Sequence, residues 1–204
     1  MKREEKNRIS RRKIIDSAKR EFAEKGYGGS SVNTICASGD ISKGVLYHYF
    51  RDKDEIYLTC VRSCFDELTD CLRREVGNRA GDVPQRLERY FQTRVAYFSE
   101  HPDEQRLFCD AVVSPPAHLE AEIAGCRGAF DAFNIEVLGA ILDSAPLRGD
   151  VTREEIVDTF RFYQDFVNAN TRREESAAQR ERSCSRALSI FLYGVISREE
   201  AIKA

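Results

Sequence analysis

The stretch Ser31-Val32-Asn33-Thr34-Ile35-Cys36-Ala37-Ser38-Gly39-Asp40-Ile41-Ser42-Lys43-Gly44-Val45-Leu46-Tyr47-His48-Tyr49-Phe50 decides the fold. Ser31 and Ser42 each precede a short segment whose apolar residues recur at three- and four-residue spacing, and a serine side chain can accept a backbone N–H from the first helical turn. Both therefore read as N-caps, predicting one helix through about Ser38 and another from Lys43 to Phe50. Between them Gly39-Asp40-Ile41 forms a tight break, because Gly and Asp both tolerate turn geometry. Two short amphipathic helices joined by three or four residues make a helix-turn-helix. In that motif the second helix lies in the DNA major groove while the first braces against the backbone. Leu46, Tyr49 and Phe50 can turn into a small core, which leaves Lys43, Gly44, Val45, Tyr47 and His48 for the groove.

Upstream, Ile14, Ile15, Ala18, Phe22 and Ala23 share one face of a helix from about Ile9 to Lys25, and Gly26-Tyr27-Gly28-Gly29 stops it. Three helices thus fit within the first 50 residues. Downstream, Ile56, Cys60, Cys64, Leu68 and Cys71 or Leu72 form a stripe on a helix from Asp54 to about Val76, long enough to link two bodies. Further helices are expected at about 84–99, 103–113, 116–143, 152–170 and 176–197, with breaks at Pro102, Pro115-Pro116 and Pro146. No stretch alternates with period two for long and no internal repeat is visible, so the expected class is all-α.

Charge is distributed unevenly. Residues 1–53 hold 13 Lys and Arg against 7 Asp and Glu, a net +6, while the remainder holds 19 against 27, a net −8. A polyanion would meet the first segment and avoid the second. The N-terminus lacks the apolar stretch of a signal peptide and no run approaches the roughly 18 residues of a membrane span, so a cytoplasmic address without membrane contact is expected. Seven cysteines, an odd number, argue against a disulfide framework. No P-loop, G-x-S-x-G, H-E-x-x-H or dinucleotide fingerprint occurs, which speaks against an enzyme, and no cofactor or metal site is expected.

The run Ser31 to Ile35, then Ile41-Ser42-Lys43-Gly44-Val45-Leu46-Tyr47-His48-Tyr49-Phe50, then Lys53-Asp54-Glu55-Ile56, resembles the TetR family of repressors. Ala18, Phe22, Gly26 and Tyr27 fit that family's first helix, so the resemblance covers about residues 9–60. It implies a three-helix DNA-binding domain at 1–53, with the motif at about 31–50, and a helical effector-binding and dimerisation domain at 54–204. Ser31, Asn33 and Thr34 are then implied as backbone or groove-edge contacts, and Ser42, Lys43, Gly44, Val45 and His48 as the groove-facing end. Tyr47 and Tyr49 resemble aromatics set near phosphates, and Lys53 a phosphate-binding lysine. Val45 could read a thymine methyl and Lys43 or His48 a base edge. The turn departs from the family's usual Ala-Gly-Val, and the carboxylate of Asp40 could repel phosphate.

The resemblance also implies a homodimer on double-stranded operator DNA, paired through the last two long helices. Ile156, Phe160, Tyr163 and Val167 make a stripe on one, and Leu188, Phe191, Leu192 and Val195 on the other. Tyr90, Phe91, Tyr97, Phe98, Phe108, Phe130 and Phe133 are candidates for lining an effector pocket, for a small molecule of apolar or aromatic character, although aromatics at helical spacing also serve as plain core. Two alternatives stand beside the ligand-gated repressor. One is a thiol or metal switch at Cys60 and Cys64, one turn apart; the other is an effector-free DNA-binding adaptor on the same scaffold.

Overall fold

The computed structural model describes residues 3–76, 83–143 and 148–170, with positions 186, 187, 190 and 194 beyond them. The elements in order are α1 (Arg3–Gly29), α2 (Val32–Ser38), α3 (Lys43–Tyr49), α4 (Lys53–Val76), α5 (Val83–Glu100), α6 (Pro102–Val113), a 3₁₀ turn (Ala117–Leu119), α7 (Glu120–Leu142) and α8 (Arg153–Asn170). The described residues contain no strand, and the all-α expectation holds. The expected helix at 176–197 lies almost wholly outside the described residues. Two compact units emerge: 1–66 with 101–128, and 67–100 with 129–204.

In the first unit, α1 runs four residues past the expected stop but breaks at Gly26, whose φ of +67° is a conformation an L side chain avoids. Ile14, Ala18 and Phe22 are fully buried, as the periodicity of α1 requires. Helix α1 packs on both short helices, where Ile35 and Leu46 are buried; on α4 Ile56, Tyr57 and Cys60 are buried too, and Phe22 meets Tyr57. Phe22, Tyr27 and Tyr57 form an aromatic cluster with ring centroids 5.0 to 6.4 Å apart. The stripe on α4 runs through Leu72, with Cys71 only half-buried. Helix α6 packs on α1, and Phe108 of α6 meets Phe65 of α4 at 5.0 Å.

The second unit is organised around aromatics. Tyr90 and Phe91 on α5 meet Phe160 on α8 at 6.4 and 6.2 Å, and Phe91 meets Tyr163 at 5.1 Å. The Tyr90 hydroxyl donates to Oδ1 of Asn134 on α7 at 2.6 Å, a hydrogen bond that suits a phenol with no access to water. Arg94, one turn further along α5, lies 5.9 Å from the Phe130 ring, so α5 and α7 run antiparallel here.

Candidate nucleic-acid interface

The two caps form as the sequence requires. Ser31 Oγ accepts the Thr34 N–H at 3.1 Å while Thr34 Oγ1 accepts the Ser31 N–H at 3.3 Å, a reciprocal capping box. Thr34 Oγ1 also donates to Glu21 Oε1 at 2.5 Å, tying α2 to α1. Ser42 Oγ accepts the Val45 N–H at 3.3 Å and starts α3. The hydroxyls of Ser31, Thr34 and Ser42 are thus engaged in local structure, and each such cap stabilises its helix by about 1 kcal/mol. Asn33 points into solvent.

The turn is compact because Gly39 is buried against α1. A Cβ at that position would come within 2.5 Å of Ile41 Cδ1 and 3.0 Å of Ser17. Ser17 Oγ in turn donates to the Ile35 carbonyl at 2.8 Å and pairs with Ser38 Oγ at 2.8 Å. Asp40 takes the left-handed conformation, φ +48°, so the substituted turn is accommodated as expected. Its carboxylate is fully exposed, 3.9 Å from Lys13 Nζ, and the same ammonium donates to the Asp40 carbonyl at 3.2 Å.

Helix α3 divides cleanly by face. Leu46 is 0% exposed and Phe50, at the C-cap, 2%, whereas Val45 is 41% and Tyr47 53% exposed. Lys43, Gly44 and His48 share the open face. An exposed valine and tyrosine on a seven-residue helix carry an apolar cost in water with no return inside the unit, which suits a surface that meets a partner. Tyr49 is half-buried instead of core: its hydroxyl donates to Asn7 Oδ1 at 3.1 Å and its ring abuts His48 at 4.9 Å. The contact anchors the basic start of α1 beside α3.

Lys53 is held from two sides. Nζ donates to the carbonyls of Tyr27 at 2.9 Å and Ser30 at 3.2 Å and lies 4.0 Å from the Tyr27 ring centroid. An ammonium has three donors, so one remains. The Tyr27 hydroxyl donates to Asp54 Oδ1 and lies 3.2 Å from His118 Nε2, while His118 is 3.4 Å from Asp54 Oδ2. Burial, with the Asp54 carboxylate second, pushes the Tyr27 phenol up to about 12. The same hydrogen bond holds the Asp54 carboxyl below its ordinary range against the opposing effect of burial.

Other expected residues sort differently. Tyr90, Phe91, Tyr97, Phe98, Phe130 and Phe133 are all buried in the second unit, but Phe108 belongs to the first, packed on Phe65. Part of the stripe expected at a dimer interface lies on α8, where Ile156, Phe160 and Tyr163 are 1%, 3% and 8% exposed in the single chain, Phe160 and Tyr163 lying against Phe91 of α5. Among the described side chains of α8, Phe162 is the large apolar one that faces outward, 75% exposed. The side chain of Val167, and Leu188, Phe191, Leu192 and Val195, lie outside the described residues. Cys60 and Cys64 are both buried. Burial pushes the Cys60 thiol up to about 12, and among the described residues no group of three or more His, Cys, Asp or Glu could hold a metal. No described helix is long and apolar enough to cross a membrane.

Several engaged residues escaped sequence reasoning: Asn7, Asp54, His118 and the buried pair Lys19 and Glu104. Of these only Lys19 left a local signal, a charge set beside Ala18 on the apolar side of α1.

Two capped helices, a tight turn and an open second-helix face make a helix-turn-helix. Residues 14–60 match the family model for bacterial regulatory proteins of the tetR family. Over 62 residues the chain is 44% identical to IcaR of Staphylococcus epidermidis, the negative transcriptional regulator of the biofilm operon icaADBC, and over 60 residues it is 43% identical to IcaR of Staphylococcus aureus. These matches span 30% and 29% of this chain and only 34% and 32% of the relatives. Across most of its length the fold is similar to that of FadR from Bacillus subtilis, solved in complex with stearoyl-CoA. The TM-score is 0.72 at 14% identity, over 86% of this chain and 96% of that one. The full-length TetR regulator TylP from Streptomyces fradiae gives a TM-score of 0.69 at 14% identity, over 96% and 90%. The N-terminal segment is thus similar to the DNA-binding part of tetR-family regulators, and the fold as a whole is similar to those of solved TetR-type regulators.

Proposed function

We propose that this chain is a cytoplasmic, non-enzymatic transcription repressor. It binds a palindromic double-stranded operator as a homodimer and leaves it when a small molecule binds. The observation that carries the reading is the split of α3: Leu46 anchored in the core, with Lys43, Gly44, Val45, Tyr47 and His48 open to solvent on the other side. Residues 1–53 do the DNA reading, with Val45 placed for a thymine methyl and Lys43 or His48 for a base edge. Ser31, Asn33, Thr34, Ser42, Tyr47, Tyr49 and Lys53 supply the contacts to the DNA backbone and groove edge that fix register.

Residues 54–204 serve effector binding and pairing. The buried aromatics of α5 and α7 support an apolar or aromatic effector, as does the stearoyl-CoA bound to the structurally similar FadR. Pairing runs through the outer face of α8, where Phe162 is exposed, together with the segment carrying Leu188, Phe191, Leu192 and Val195. An effector acts by favouring a conformer whose recognition helices are misspaced for two half-sites one turn apart.

Genome-wide footprinting with the purified full-length chain tests the reading. Palindromic sites are expected, with affinity falling steeply with salt as phosphate contacts release counterions. Absence of any palindromic site, or retention of full affinity by the double variant Lys43→Ala/Tyr47→Ala, overturns it.

A further inference from the structure

Arg94 of α5 and Asn134 of α7 are 4% and 3% exposed, and with Thr69 they are the buried polar side chains among the described residues of the second unit. An arginine stem is long enough to carry its charge out to water, and a guanidinium held inside needs groups to receive its donors. Arg94 makes other contacts, yet its Nη1 is buried and makes no hydrogen bond. The amide of Asn134 is half used: Oδ1 accepts from the Tyr90 hydroxyl at 2.6 Å, while Nδ2 is buried and makes no hydrogen bond. Buried donors left unmade cost free energy, and native cores hold few of them.

The two open donors belong to one place. Tyr90 and Arg94 are one turn apart on α5, and Phe130 and Asn134 one turn apart on α7. Tyr90 meets Asn134 and the Arg94 guanidinium lies 5.9 Å from the Phe130 ring centroid, so Arg94 and Asn134 sit diagonally across the seam of the two helices. The Phe98 ring lies 5.7 Å from the guanidinium, and Tyr90 carries the aromatic cluster on into Phe91 and Phe160. A cation and an amide donor in an aromatic surround select a negatively charged oxygen acceptor on an apolar body. A carboxylate fits, because its two oxygens accept a guanidinium N–H and an amide N–H at once. Its single charge also matches Arg94, the one buried cation among the described residues of this unit. A phosphate monoester would bring about two charges into the same surround and matches it less well.

We propose that the effector of this chain is an organic acid with an apolar body, whose carboxylate accepts from Arg94 Nη1 and Asn134 Nδ2 while the body lies against the surrounding rings. The inference rests on the ligand-gated reading given above and names the class of molecule that the site takes.

The test uses the full-length chain. Straight-chain acids from butyrate to myristate, with benzoate and phenylacetate, are titrated by calorimetry beside their methyl esters at about pH 7, where the acids are ionised. At least one acid binds, at least about tenfold tighter than its ester, and releases the footprinted operator. Asn134→Asp keeps the acceptor for the Tyr90 hydroxyl but opposes a bound carboxylate with a like charge, and Arg94→Lys keeps the charge but removes the planar fork. In both variants the preference for acid over ester falls at least about tenfold, whereas a merely structural defect would weaken acid and ester alike. Should Asn134→Asp fail to fold, Arg94→Lys alone decides. No acid binding, acid and ester binding equally, or an unchanged preference in the folded variants overturns the proposal. Release of the operator by esters as well as acids overturns it too but leaves ligand gating in place, whereas a wild type that binds no palindrome removes the underlying reading.

Discussion

Lys53 Nζ lies 4.0 Å from the centroid of the Tyr27 ring and donates to the Tyr27 carbonyl at 2.9 Å, so the first residue of α4 closes the break that ends α1. A residue that the family resemblance assigns to phosphate thus also serves the fold. Lys53→Met should lose the cation–π contact and two charge-assisted hydrogen bonds at a half-buried site, about 1–2 kcal/mol in urea unfolding. Operator affinity should fall as well, with a shallower salt slope. A variant of unchanged stability would show that the contacts contribute nothing to the folded state.

The turn separates a steric requirement from an electrostatic one. Gly39→Ala places a methyl 2.5 Å from Ile41 Cδ1, which can rotate away, and 3.0 Å from Ser17 Cβ, which is fixed to α1, and should destabilise by about 1–3 kcal/mol. Asp40→Asn keeps a residue tolerant of positive φ and removes the exposed carboxylate. Melting temperature should stay put while operator affinity rises a few-fold at low salt, measured by fluorescence anisotropy on a labelled duplex.

Within α3 neighbouring positions should behave oppositely. Leu46→Ala empties a fully buried site and should cost about 2–5 kcal/mol of stability. Val45→Ala alters an exposed side chain, so stability should change by less than about 0.5 kcal/mol. Its effect should appear as about 1 kcal/mol or more of lost discrimination at a single base pair of the operator. Equal effects of the two substitutions on folding would contradict the division of faces.

Tyr27 and Asp54 give stability two pH limbs. The Asp54 carboxyl, lowered by the Tyr27 hydrogen bond, supports the fold above its ordinary value of 3.8, and that support disappears as pH falls through its lowered folded-state value. Tyr27, raised from 10.0 to about 12 by burial and the Asp54 carboxylate, supports the fold fully below pH 10 and loses it as pH rises toward 12. Tyr27→Phe should flatten both limbs of the stability profile. It should leave the acid contribution of Glu21, lowered by hydrogen bonds from Thr34 and Lys25 that outweigh its burial. An unchanged alkaline limb in Tyr27→Phe would remove this account.

Thiol chemistry should follow burial. Cys60, with its thiol pushed up to about 12, and Cys64 should resist a thiol-specific reagent in the native protein, whereas half-buried Cys71 should label first among the described cysteines. Rapid native labelling at Cys60 or Cys64, coupled to loss of operator binding, would revive the thiol switch.

The sequence by itself determined the helix-turn-helix. Ser31 and Ser42 cap partners three residues away, Asp40 adopts its own backbone conformation, and Leu46 faces inward by helical period, all interactions that close within one turn of chain. Helical period offers the Ile156, Phe160 and Tyr163 stripe of α8 for pairing but does not say which face is internal, because that helix carries apolar residues on more than one side. Only packing against α5 placed Phe160 and Tyr163 inside and left Phe162 in water. The pairing of Lys19 with Glu104 and of Tyr27 with Asp54 and His118 was likewise decided by the tertiary structure. Such contacts depend on the angles and offsets at which distant helices meet, and no local spacing records them.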